Sequence, residues 1–236
     1  MNSNVDGSHP ATIIEFIGLP GSGKTYLANQ ICDLQAYTRV NFSKRSAGPI
    51  RSFFRYSFIL ISASIGIIGT LARSGFFHQR DKHGVKVWQI KLLMRLHILA
   101  DRNRARMKPN LESPLVLDQG VMQSMVSCRM AGLAISENYA TKLLTKAGIS
   151  PINRLVVLHG ASAETSLQSA QNRAGNKLPV LDRFKNEDLR EKFDHYLSAI
   201  GWMSNLLERN CYTIVRTYRQ DATGLNIERI LSALPV

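Results

Sequence analysis

Eight consecutive residues, Gly18-Leu19-Pro20-Gly21-Ser22-Gly23-Lys24-Thr25, satisfy the spacing G-x-x-x-x-G-K-[ST] at each fixed position. That spacing suits one kind of chemistry. Glycines let a backbone wrap a phosphate chain with its N–H groups turned inward, where side chains would block the approach. A lysine at the seventh position reaches the β- and γ-phosphates, and a hydroxyl at the eighth binds Mg²⁺. Gly18, Pro20, Gly21, Ser22, Gly23, Lys24 and Thr25 are therefore the residues expected to hold a nucleotide's phosphates. A second candidate lies far along the chain. Pro114-Leu115-Val116-Leu117-Asp118 is an apolar run ending in a carboxylate. At the C-terminal edge of a parallel strand, Asp118 would face the same crevice.

These residues need a scaffold. Thr12 to Ile17 is β-branched and apolar, as a strand buried on both faces should be. Tyr26 to Cys32 reads as a helix whose N-terminus faces the phosphates. Further on, Arg154 to His159 and Cys211 to Arg216 read as strands. Helices are expected over Val85–Met107, Val121–Gly132, Ser136–Gly148, Ala163–Ala174, Glu187–Arg209 and Thr223–Leu234. Pro109 ends the first of these, and Ser136 is a suitable N-cap. Strands alternating with helices predict a three-layer α/β/α architecture around a parallel sheet of about five strands.

Composition sets outer limits. A chain of 236 residues with 44% hydrophobic and 20% charged residues buries a sizeable core and is not a disordered polymer. Cys32, Cys128 and Cys211 are far apart and odd in number, which points to reduced thiols in a cytoplasmic setting. His78 and His83 make no zinc pattern. Residues 1–10 read as a flexible polar tail preceding one domain over 11–236.

The net charge of +13 is localised. Between Arg39 and Lys108 there are 15 Lys and Arg against only Asp81 and Asp101, and the rest of the chain balances. Such crowding repels itself unless a polyanion or anionic surface offsets it. Within that window, Tyr56 to Ala72 is a 17-residue run without charge, flanked by Arg51, Arg55 and Arg73. It reads as a buried core helix, with a membrane-surface segment over residues 51–73 and a spanning helix as the alternatives. The window as a whole, about 39–110, is expected to be a basic, partly apolar helical insertion.

Beyond the phosphate loop, the chain resembles the P-loop kinases of the nucleoside monophosphate kinase class, and thymidylate kinases in particular. FIGLPGSGKT carries the likeness first. Ala163-Glu164-Thr165-Ser166-Leu167, Arg173-Ala174-Gly175-Asn176-Lys177 and Leu181-Asp182-Arg183-Phe184 are similar to that family's lid and the Asp-Arg-Phe element after it. The resemblance implies a P-loop NTPase fold, ATP and Mg²⁺ as cofactors, and a lid at about 163–184. It implies that Arg173 and Arg183, with Lys177 as a third, close over the transferring phosphoryl group. It also implies that Asp118 helps hold Mg²⁺ or the acceptor hydroxyl. Two departures concern the acceptor. The family's arginine after that aspartate is Gln119 here. Its Arg-Glu substrate strand has only Tyr37-Thr38-Arg39-Val40 as its nearest remnant.

The expectation is thus an ATP-dependent phosphotransferase with Lys24, Asp118, Arg173 and Arg183 in catalytic roles and Asp118 also the best general-base candidate. Its partners are ATP and an anionic acceptor, a nucleotide or related metabolite. A lipid-linked or polysaccharide-precursor acceptor at the membrane surface is the alternative, with an anionic membrane touched through residues 51–73. A non-kinase ATPase is a further alternative, against which the lid counts. So is a nucleic-acid-binding NTPase, whose binding would weaken steeply with salt. A homodimer and membrane association stay open.

Overall fold

The structure is a computed structural model that describes residues 12–35, 37–40, 68, 70, 87–106, 114–172 and 186–234. A five-stranded parallel sheet runs in the order β2-β3-β1-β4-β5, with β1 Ile13–Gly18, β2 Thr38–Val40, β3 Leu115–Leu117, β4 Arg154–Gly160 and β5 Thr213–Tyr218. All six residues of β1 are buried, which suits its Ile and Phe residues at the centre of a covered sheet. The helices are α1 Lys24–Gln35, α2 Val87–Arg106, α3 Val121–Met130, α4 Glu137–Lys146, α5 Ala163–Gln171, α6 Asn186–Arg209 and α7 Thr223–Ser232.

Alternation along the strands divides the core into two layers. Ile14 and Phe16 of β1, Val116, Leu155, Val157 and Val215 face α1 and α7, where Leu27, Ile31, Ile227 and Ile230 pack on them. Ile13, Ile17, Leu115, Leu117, Val156 and Leu158 face the other way. There Leu93, Leu96 and Leu99 of α2, Val121, Met122 and Met125 of α3, Leu143 and Leu144 of α4, and Phe193 and Met203 of α6 cover them. Each such side chain contributes about 1.5–3 kcal/mol when fully removed from water. The three-layer α/β/α expectation holds.

Glu15 is the exception among these apolar faces. It points into the second layer with no exposure and is held from two sides. Met122 N donates to its Oε1 at 2.8 Å, at the N-terminus of α3, and the buried Arg154 guanidinium donates to its Oε2. The N-cap of α3 is Gly120, which has no side chain to offer, so Glu15 supplies that capping carboxylate from the neighbouring strand. Arg154 also reaches Asn103 of α2 at 3.4 Å, and Asn103 donates to Ala147 O. One buried polar network therefore ties sheet, α2, α3 and α4 together.

Several boundaries differ from the sequence reading. Thr38–Val40 is a strand, paired with β3, so Arg39 belongs to the sheet although it was assigned to the start of the insertion. The last strand was expected to begin at Cys211. Instead Cys211 has φ 59°, and it closes α6 with Cys211 N on Glu208 O and Tyr212 N on Leu207 O, both at 3.1 Å. The strand starts only after that turn and runs on to Tyr218 beside Gly160. Helix α2 packs on α3 and α4 as part of the core. Of the apolar run 56–72, only Ile68 and Thr70 are described, both helical, with Thr70 buried and Ile68 half exposed. The proposed membrane segment 51–73 otherwise lies outside the described residues. Among those residues, no helix is long and apolar enough to cross a membrane.

Candidate active site

The phosphate loop joins β1 to α1 at the C-terminal edge of the sheet. Gly21 and Gly23 have φ values of 82° and 99°, which side-chain-bearing residues rarely adopt, so both fixed and variable glycines serve the turn. Ser22 N donates to Leu19 O at 3.1 Å, and Lys24 Nζ curls back to Leu19 O at 3.0 Å. Gln123 of α3 receives the Gly18 N–H at 3.0 Å on its Oε1 and donates its amide N–H to Tyr196 of α6. The loop is thereby anchored to two helices of the second layer.

Thr25 and Asp118, 93 positions apart in the chain, meet directly. The Thr25 hydroxyl lies 3.0 Å from Asp118 Oδ1 and 2.9 Å from Oδ2. Arg39 completes the cluster from β2, donating to Asp118 Oδ2 at 3.0 Å and to Asn29 of α1. The Arg39 Nε is buried and bonds to nothing among the described residues. A hydroxyl and a carboxylate side by side are hard oxygen donors of the kind Mg²⁺ takes alongside phosphates and water, so Thr25 and Asp118 fit that ion. The acidic Glu15 is buried beneath and already saturated, so it offers no second metal ligand.

Beside the loop opens a cavity of about 510 Å³, lined by Gly21 to Gly23, Tyr26 and Leu27 on one side. His159, Ser169, Asn172, Arg219, Asp221, Thr223 and Asn226 form the other side. Its size suits a nucleoside unit. Asn226 is fixed in place by accepting from Tyr218 N and donating to Tyr218 O. His159 is nearly buried, and that burial, with Lys24 and Arg219 close by, pushes its pKa down to about 4. The imidazole is therefore neutral.

Of the expected site residues, Lys24, Thr25 and Asp118 are brought together at the loop. Arg173, Lys177 and Arg183 lie outside the described residues. The helix expected from Ala163 is α5, starting at an N-cap formed by Ser162, whose hydroxyl accepts from Thr165 N at 3.0 Å. Four residues around the loop carry no sequence signature and were missed: Gln123, His159 and Arg219, and Arg39 in its contact with Asp118. Only Arg39 left a trace, in the short strand-like Tyr37–Val40.

No protein-family model matches the sequence, and no curated protein matches it. Solved structures do. Deoxyadenosine kinase from M. mycoides with bound dATP aligns with a TM-score of 0.53 at 13% identity, covering 94% of this chain and 98% of that one. The same enzyme with the products dCMP and a flexible dCDP aligns with a TM-score of 0.50 at 14% identity, over 94% and 97% of the two chains. At such identity the likeness establishes architecture, and the fold is that of the P-loop kinases.

Proposed function

We propose that this protein is an ATP-dependent phosphotransferase acting on a small acceptor. The observation that carries this reading is the cluster of Thr25, Asp118 and Arg39 at the mouth of a complete phosphate loop, beside a cavity of nucleoside size. The backbone from Gly18 to Thr25 cradles the donor phosphates, with Lys24 released from Leu19 O to meet the β- and γ-oxygens. Thr25 and Asp118 would hold Mg²⁺, which would supply positive charge to offset that of the donor's phosphates. The acceptor oxygen attacks the γ-phosphorus in line, the bond to the bridging oxygen breaks, and ADP departs. The acceptor's proton leaves to solvent or to Asp118. Both Asp118 oxygens are already engaged by donors, so we assign this carboxylate first to the metal and only second to the proton. Arg173 and Arg183 are proposed, from the family resemblance, to stabilise charge on the transferring group.

For the acceptor we put a nucleotide or related anionic metabolite first, because the surplus of positive charge lies between Arg39 and Lys108. A second reading, an uncharged deoxynucleoside, draws support from Gln119 in place of an arginine and from the deoxyadenosine kinase likeness. ADP release measured over deoxynucleosides, nucleoside monophosphates, sugars and anionic liposomes separates these readings, with Lys24→Ala as control. ATP turnover that no acceptor accelerates would sink the phosphotransferase proposal. Acceleration by liposomes alone would move the acceptor to the membrane surface.

A further inference from the structure

We propose that His159 and Arg219 are positioning residues that clamp two consecutive carbonyls of the phosphate loop and thereby set its affinity for the donor's phosphates. The inference rests on the reading of that loop as an ATP site, and it concerns residues that carry no part of the motif.

His159 lies in β4 directly opposite Gly18. Its Nε2 is 3.1 Å from Ser22 O, and its Nδ1 is 2.9 Å from Thr217 Oγ1 on β5. A carbonyl only accepts, so Nε2 carries the proton and Nδ1 receives the threonine hydroxyl. Thr217 has no exposure, so the ring is gripped from behind. Arg219 follows β5 and is anchored by its own N–H on Gly160 O at 2.9 Å. Its guanidinium Nη1 donates to Gly21 O and to Ser169 Oγ of α5, each at 2.6 Å. The nearby Asp221 is taken by Arg229 instead.

The consequence follows from peptide geometry. A trans peptide is planar, so its C=O and the next N–H point in opposite directions. Drawing Ser22 O toward β4 turns the Gly23 N–H to the opposite side, into the loop. Drawing Gly21 O toward Arg219 turns the Ser22 N–H the other way, onto Leu19 O, where it is found. Gly21 and Gly23 would otherwise rotate freely, and ordering their backbone costs conformational entropy. The clamp meets that cost before the nucleotide arrives. Burial keeps His159 neutral, so the donating tautomer persists near pH 7. Arg219 also ties the loop to the last turn of α5 through Ser169, so the loop and that helix share one side chain.

The test uses calorimetric titration of the full chain with ATP, ADP and AMP. His159→Leu and Arg219→Met should each raise the Kd for ATP and ADP roughly tenfold, equivalent to about 1.4 kcal/mol. His159→Gln, which keeps a donor near the Nε2 position, should stay within about threefold of wild type by the same scale. AMP binding to His159→Leu should fall much less than ATP binding, because the clamp acts on the β- and γ-phosphate cradle. In turnover, KM for ATP should rise while kcat holds. ATP affinity within twofold of wild type in both apolar variants overturns the clamp, as does an equal loss for AMP. Wild-type protein that binds no ATP overturns the donor reading along with it. Wild-type binding that is lost in Lys24→Ala but kept in the clamp variants overturns the clamp alone.

Discussion

Replacing Gly120 with alanine should destabilise the protein by about 3–5 kcal/mol, although the position looks permissive. Its φ of −95° and ψ of −162° are extended values open to any residue, so no backbone strain is involved. The obstacle is Glu15. A Cβ on Gly120 would lie 2.2 Å from Oε1, 2.3 Å from Cδ and 2.7 Å from Oε2 of that carboxylate. Carbon and oxygen settle near 3.5 Å, so the carboxylate must retreat by roughly 1 Å. That retreat stretches the 2.8 Å bond from Met122 N and the buried ion pair with Arg154. A charged hydrogen bond contributes about 1.5–3 kcal/mol, and a buried pair deprived of its partner costs about 3–5 kcal/mol. Because the carboxylate relaxes only in part and neither contact is lost completely, the total stays at about 3–5 kcal/mol. Urea unfolding at constant m measures it, and the melting temperature should drop by roughly 6–20 °C for a chain of this size. The same change in a Glu15→Ala/Arg154→Met background should cost less than about 1 kcal/mol, because nothing is left to collide with. Equal costs in the two backgrounds, or a cost under about 1 kcal/mol in the wild type, would refute the reasoning.

Two further outcomes are expected. His97 and His159 are both pushed from 6.5 down to about 4, chiefly by burial, with Lys146 acting on His97 and Lys24 and Arg219 on His159. The unfolded chain therefore takes up these protons first, so stability is full above about pH 6.5 and declines as pH falls toward 4. The slope is at most about 1.4 kcal/mol per pH unit for each histidine; urea midpoints from pH 7 to 4.5 check it, and a flat profile contradicts it. Cys211→Gly should stabilise by up to about 1 kcal/mol, since the left-handed backbone costs a non-glycine residue about 1–2 kcal/mol and added freedom of the unfolded chain returns part of that. Denaturant midpoints of the two proteins compare it, and a lower midpoint for the glycine variant counts against it.

The parts of the site that are made of backbone were the parts legible in the sequence. A phosphate loop is a local conformation, so its glycines, lysine and threonine must be contiguous, and the strand before it must be apolar on both faces. Asp118 could be placed because it ends a short buried run. By contrast, Arg39, Gln123, His159 and Arg219 reach the loop from three strands or their ends and one helix. Nothing within a few residues of them announces a partner some 79, 105, 137 or 198 positions away. The last strand was misplaced by two residues for a related reason: Cys211–Tyr212 is apolar enough for a strand, and only its place in the helix-ending turn excludes it. Glu15, an acid inside a central strand, was passed over as part of an apolar run, because its partner Arg154 becomes visible only when β1 and β4 pair.

The strand order has a consequence for how this protein comes to bind anything. The motif occupies eight neighbouring residues, but Thr25 waits for Asp118, Gly18 for Gln123, and Ser22 for His159. Contacts of such sequence separation form slowly, because the entropy of closing long loops precedes their reward. A nascent chain carrying only the loop and its helix holds the recognisable signature and few of the bonds that shape it. On the proposed reading of the loop as an ATP site, nucleotide affinity is a report on completion, arising when the fourth and fifth strands dock. On that same reading, ATP would favour the finished sheet over its precursors by mass action. Retention on immobilised ATP would accordingly sort fully folded molecules from partly folded ones within a single preparation.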